Sequence, residues 1–124
     1  MVRLRLSLLL GWAALIFIGS SFPNPPGATG GEWRYDLAHI VEYAVLGALA
    51  FLVVRSVRPA WPAMVVMVAA WTFAVLYGMS DEFHQSFVPN RDASWLDVGF
   101  DALGAVLGIG LVRGIRAGRS TARL

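Results

Sequence analysis

The chain has two histidines, His39 and His84, and each lies in a run of residues able to share chemistry with it. On a helix, Asp36, His39 and Tyr43 fall at i, i+3 and i+7, one stripe with Glu42 on its edge. Further along, SDEFHQSFVPNR (Ser80–Arg91) gathers charge, imidazole and amide in a chain otherwise mostly apolar. There Tyr77, Asp81 and His84 form a second stripe, with Ser80 and Gln85 alongside and Glu82 pointing elsewhere. Asp97, Asp101, Gly104 and Gly108 make a third, at i, i+4, i+7 and i+11.

Carboxylates beside histidines can act as general acid and base. The candidates for that work are Asp36, His39, Asp81, His84 and Asp97. Tyr43, Glu82, Gln85, Arg91 and Asp101 are the candidate substrate-binding groups, and the planar fork of Arg91 suits a phosphate or carboxylate. The same donor types fit a divalent metal such as Zn²⁺, Mn²⁺ or Fe²⁺ that would activate water. The candidate ligands are His39, His84 and Asp97, although no compact H-E-x-x-H spacing occurs.

The elements that must position these groups are membrane helices. Of 124 residues, 57% are hydrophobic and only 15% charged. That is too oily for an ordinary soluble domain. With no cysteine, disulfides, zinc–thiolate sites and thiol catalysis are excluded. Four apolar segments can be drawn: Leu4–Phe22, Leu37–Val54, Trp61–Met79 and Trp95–Val112. Each approaches the ~20 residues that cross a bilayer as helix. The alternating short strands of a barrel are absent. The expected fold is all-α: a polytopic four-transmembrane-helix bundle, one domain over residues 1–124.

Arginine sets the expected orientation. Arg3, Arg5, Arg55, Arg58, Arg113, Arg116, Arg119 and Arg123 fall on one side, Arg34 and Arg91 on the other. The positive-inside rule then makes both termini cytoplasmic. The basic tail reads as an orientation signal, with contact to anionic lipid and no nucleic-acid role. The start, MVRLRLSLLLGWAALIFIGSS, has the basic head and apolar core of a signal peptide. Its apolar run is longer than usual and no A-x-A site follows, so a retained first helix is expected.

The connections differ in kind. Pro23–Tyr35 is rich in proline and glycine and reads as an irregular loop, with Trp33 and Tyr35 in an aromatic belt. Pro62 fits the first turn of the third helix. Nothing breaks helix from Ser80 to Gln85, so the third helix can run on past the membrane surface. Pro89-Asn90 is a turn signal, and Ser94-x-x-Asp97 looks like a capping box. Gly104-x3-Gly108 reads as a packing seam, and such glycine seams also allow a homo-oligomer. Glu42 and Asp101 lie on the order of 9 Å inside their helices at 1.5 Å per residue. A charged Asp at mid-membrane costs roughly 2.5–3.5 kcal/mol, so these two should face a shared polar cleft with His39, His84 or Arg91.

The run SDEFHQSFVPNRDASWLDVGFDALGAVLG, Ser80–Gly108, resembles the VanZ-like family of bacterial membrane proteins. The family pattern maps onto Ser80-Asp81-Glu82, His84-Gln85, Pro89-Asn90-Arg91, Asp97 and Asp101, and its upstream positions onto Asp36, His39 and Tyr43. Asn90 stands where the family usually has glycine, a mild change because asparagine tolerates a left-handed turn. Asp101 replaces the usual asparagine and adds a potential charge. The resemblance implies a multi-pass protein of the bacterial cytoplasmic (inner) membrane. The family's namesake is associated with low-level teicoplanin resistance, which implies a cell-envelope setting and a role in glycopeptide tolerance.

Three functions fit this residue set. One is an enzyme acting on an envelope lipid or lipid-linked cell-wall precursor at the outer leaflet. Another is a non-catalytic protein that binds such a molecule or assists assembly. The third is an oligomeric transporter or channel, for which four helices without inverted repeats are few.

Overall fold

The computed structural model describes residues 1–23 and 32–121. It contains four helices: α1 (Val2–Ser20), α2 (Glu32–Val57), α3 (Ala63–Gln85) and α4 (Trp95–Thr121). All four are long and apolar enough to cross a membrane. In hydrocarbon every backbone N–H and C=O must be paired within the chain, and a continuous helix does this residue by residue. Large apolar side chains such as Leu8, Leu15, Val68, Leu76, Val106 and Leu111 remain exposed on the bundle surface, where lipid would cover them.

The helices are longer than the apolar runs. α2 starts at Glu32, so Trp33, Arg34 and Tyr35 are helical, not loop, and Asp36 is on the helix as expected. α4 continues through Arg113, Arg116 and Arg119 to Thr121, because arginine is a good helix former and no proline interrupts the run, Gly114 and Gly118 being tolerated. α3 runs through Gln85 as the unbroken Ser80–Gln85 stretch allows. Pro62 is the N-cap of α3, one residue ahead of the first-turn position expected for it. The rest of the irregular connection placed at Pro23–Tyr35 falls on residues 24–31, outside the described residues, as does Arg123.

α2 and α4 form the tightest pair. A methyl group on Gly104 would run into the backbone of Ile40, and one on Gly108 into the carbonyl of Ala44. On the facing helix, a Cβ on Gly47 would lie 2.8 Å from Ala105 Cα. The Gly104–Gly108 seam is therefore used inside the chain, by α2. α3 packs against both helices, and α1 packs chiefly on α2. Tyr43, Leu46, Ala50, Val66, Ala70, Ala74, Ala105 and Ile109 form the apolar middle of the bundle.

The two ends of the bundle differ. At the arginine end, Arg5 donates to Ser56 Oγ, and Arg55 Nη1 donates to the carbonyls of Pro59 (3.4 Å) and Trp61 (2.8 Å). The carboxylates of α2, α3 and α4 lie toward the opposite, acidic end, where α1 and α3 finish and α2 and α4 begin.

Candidate functional site

α3 organises the acidic end because two of its faces are polar. One face carries Tyr77, Asp81 and His84, and it turns toward α1. The Tyr77 hydroxyl donates to the Ala13 carbonyl at 2.6 Å. Asp81 Oδ1 accepts from Ser20 Oγ at 2.6 Å, and Asp81 Oδ2 from Gln85 Nε2 at 3.1 Å. Gln85 Oε1 in turn accepts from Arg91 Nη1 at 3.1 Å. Ser21 gives its single proton to the Phe17 carbonyl at 2.6 Å, so His84 Nε2, 3.0 Å from Ser21 Oγ, is the donor there. The His84 ring also lies 4.4 Å from that of Phe17, centroid to centroid.

The other face of α3 carries Gly78 and Glu82, one turn apart, and it turns toward α4. Glu82, which points away from the Tyr77–Asp81–His84 stripe, is buried. Its Oε2 accepts the backbone N–H of Ser94 at 2.8 Å. That N–H is the one a capping box would offer to Asp97, so the expected box is rebuilt across helices. Ser94 Oγ still accepts the Leu96 N–H at 3.2 Å as an N-cap should. Asp97 is left partly exposed, without a side-chain hydrogen bond among the described residues.

α2 and α4 meet at the acidic end through His39, whose Nδ1 donates to Asp101 Oδ1 at 2.8 Å. This is the one ion pair among the described residues, and Asp101 is 1% exposed. His39 therefore pairs with Asp101, while the expected partner His84 is engaged by α1. Tyr43 stacks one turn below His39, with ring centroids 6.5 Å apart. Three buried oxygens here have no hydrogen-bond partner among the described residues: Tyr43 OH, Glu82 Oε1 and Asp101 Oδ2. One ligand atom from each of His39, Glu82 and Asp101 lies within 4.8 Å of the others, so this trio could hold a metal ion. Of the residues expected as ligands, only His39 belongs to it.

Arg91 pairs with none of Asp81, Asp97 or Asp101. Its guanidinium donates to Gln85 Oε1 and to two carbonyls at the end of α1, Gly19 at 3.2 Å and Phe22 at 3.1 Å. The turn before it closes through Arg91 N–H to the Val88 carbonyl at 3.2 Å, with Asn90 at φ 60° as a left-handed turn residue.

A cavity of about 220 Å³ sits between α1, α2 and α3, lined among others by Ser20, Tyr35, His39, Glu42, Asp81, Gln85 and Arg91. A second, about 210 Å³, lies beside Glu82 and Ser94 and is walled by Met79, Phe83 and Trp95. Asp36 stands at the start of α2, half-buried and without a hydrogen-bond partner among the described residues. Ser20 and Ser21 were not singled out as site residues from the sequence. Their signal was available: after Ser7 and Trp12, they are the first polar side chains on an otherwise apolar helix.

Residues 33–116 match the family model described as VanZ/LLP1. No curated protein and no solved structure matches the chain.

Proposed function

The chain belongs to the VanZ/LLP1 family of membrane proteins, and on that premise we propose that it binds the phosphate-bearing headgroup of an envelope lipid or lipid-linked cell-wall precursor. The observation that carries this reading is the state of Arg91. Its guanidinium lines the 220 Å³ cavity and donates only to neutral acceptors, so its charge has no carboxylate partner among the described residues. A planar fork held at a cavity wall suits a phosphate oxygen pair. Drug-sized ligands occupy roughly 300–1,000 Å³, so this cavity takes a headgroup while the acyl or prenyl chain stays in the bilayer. The arginine end fits the cytoplasmic side, which assigns the acidic end to the outer leaflet of the bacterial inner membrane.

Processing of the headgroup is favoured by the His39–Asp101 pair. A carboxylate that fixes one imidazole nitrogen orients the ring as a base, and His39 also lines the cavity. A transport role finds less support: below Tyr43 the interior is Leu46, Ala50, Val66, Ala70, Ala74 and Ile109, which offer an ion or proton no polar steps. Glycopeptide tolerance enters through the family resemblance alone.

The test is native mass spectrometry of the chain in nanodiscs, offered a polyprenyl phosphate, phosphatidylglycerol or the uncharged polyprenol. A phosphate-bearing lipid should be retained at least tenfold better than polyprenol, and Arg91→Gln should erase the difference. Retention by a polyprenyl phosphate but not phosphatidylglycerol would identify a cell-wall carrier. Equal retention of polyprenol would rule the reading out.

A further inference from the structure

We propose that His39, Glu82 and Asp101 form a divalent-cation site set between α2, α3 and α4. The three offer one imidazole nitrogen and two carboxylate oxygens within 4.8 Å of one another. Zinc, with bonds of about 2.0–2.2 Å, holds tetrahedral ligands roughly 3.4 Å apart. Rotamer shifts of about 1 Å, small beside the length of a glutamate side chain, would close the triangle.

Two independent features point to an occupant. The first is the set of orphaned atoms. Asp101 is 1% exposed and Glu82 6%, yet Asp101 Oδ2 and Glu82 Oε1 accept no hydrogen bond among the described residues. A buried carboxylate oxygen without a partner is costly, and carboxylates are kept inside membranes where something pairs with them. No arginine does so here, since the one ion pair among the described residues is His39 with Asp101. The second feature is Gly78. A methyl group there would lie 2.6 Å from Asp101 Oδ2 and 3.3 Å from Cγ. α3 thus leaves out a side chain at the point where Asp101 needs room, and one turn on, at Glu82, supplies a second carboxylate to the same neighbourhood.

The donor set settles the class of ion. One nitrogen and two oxygens suit Zn²⁺ or Mn²⁺, whereas Ca²⁺ prefers six to eight oxygens. A dication with a neutral imidazole also cancels two carboxylate charges that would otherwise share one histidine. Three protein ligands leave a position open, the arrangement of a site that binds water or a substrate oxygen. His39 borders one cavity and Glu82 the other, so the ion would sit in the wall between them.

This inference goes beyond the lipid reading, and its test contains no lipid headgroup, so either can fail without the other. The full chain in detergent is stripped with a chelator and then offered ZnCl₂ or MnCl₂. After gel filtration, about one zinc per chain should remain. Glu82→Gln, which can still accept the Ser94 N–H, should weaken zinc at least tenfold, while Asp92→Asn, exposed and outside the cluster, should not. The unmodified protein gives a second measurement that needs no variant. Its two histidines give separate ring signals in ¹⁵N NMR, and substoichiometric Mn²⁺ should broaden His39 while sparing His84. No retained zinc, unchanged affinity in Glu82→Gln, or broadening of His84 in place of His39 would each overturn the proposal.

Discussion

Asp81 and Asp101 are both buried carboxylates at the acidic end of one bundle, and they are treated in opposite ways. Asp81 is saturated. One oxygen takes a serine hydroxyl from α1, the other the Gln85 amide, and Gln85 is fed in turn by Arg91. The chain of donors runs one way, from guanidinium to amide to carboxylate, and it fastens α1 to α3. Asp101 is half-used: His39 takes one oxygen, and the other faces the bare backbone of Gly78. A saturated network holds a fold in place. A half-satisfied one keeps capacity for a ligand, at a cost in stability. On the proposed cation site, the contrast separates a residue that braces the bundle from one that would hold the ion, a division their shared chemistry hides.

The sharpest way to break this contrast is to make the same change on both sides. Asp81→Asn puts an amide where two donors converge. With its Oδ1 kept toward Gln85, the new NH₂ meets Ser20 Oγ, whose proton must then turn to the Phe17 carbonyl at 3.0 Å. Two hydrogen bonds to a charged carboxylate, worth ~1.5–3 kcal/mol each, become neutral ones or are lost, so the loss should be about 2–4 kcal/mol, read as a clear fall in detergent melting temperature. Stability within half a kcal/mol of the parent would show that the Ser20–Asp81–Gln85–Arg91 chain is not what ties α1 down.

Next in size is Gly78→Ala. The new methyl would overlap Asp101 Oδ2 and force the carboxylate or α3 to move, at about 1–3 kcal/mol. The informative readout is not the melting temperature but the His39 ring signal, which should shift as its bond to Asp101 is disturbed. An unchanged His39 signal would mean that the space beside Gly78 is not reserved for Asp101.

Asp101→Asn should cost less than about 1 kcal/mol and can be stabilising, because it removes a buried charge while keeping an acceptor for His39. Zinc retention should nevertheless fall at least tenfold. Thermal melts and metal content on one sample check both halves. A loss of stability as large as that of Asp81→Asn would erase the distinction between the two carboxylates.

The sequence shows the four spans readily, since a run of some twenty apolar residues has few alternatives in a membrane. It misplaces their ends. α2 begins at Glu32 and α4 runs to Thr121 because polar residues with good helix propensity extend helices past the apolar core. The stripes of α2 and α4 were legible for a simple reason: each presents one polar face. α3 was only half legible. At the acidic end it meets α1 on one side and α4 on the other, so Asp81 and Glu82, about 100° apart on the helix, each meet a different neighbour. Periodicity finds one polar face and leaves the residue on the other without a neighbour, which is why Glu82 could be read only as pointing elsewhere. Spacing alone likewise cannot tell that His84 turns to Ser21 and Phe17 on α1. That contact depends on where α1 docks, and no period encodes it.

The smallest expected effect belongs to Asp97, and it tests whether the capping box was correctly reassigned to Glu82. In a box within one helix, the residue at the third helical position reaches back to the N-cap N–H, and the sequence offers Ser94 and Asp97 for those roles. Here Glu82 Oε2 already holds the Ser94 N–H at 2.8 Å, so truncating Asp97 strands no donor. What remains to lose is the attraction between a negative charge and the start of α4, about 0.3–1 kcal/mol near a helix N-terminus. Asp97→Ala should therefore lower stability by about half a kcal/mol, and added salt should shrink even that. Glu82→Ala, by contrast, leaves the Ser94 N–H without its acceptor and should cost about 1–3 kcal/mol, insensitive to salt. Melting curves of the two variants at low and high ionic strength decide the matter. Were Asp97→Ala the more damaging of the pair, Asp97 would be the capping residue, and Glu82 would lose the anchor that holds it beside His39 and Asp101.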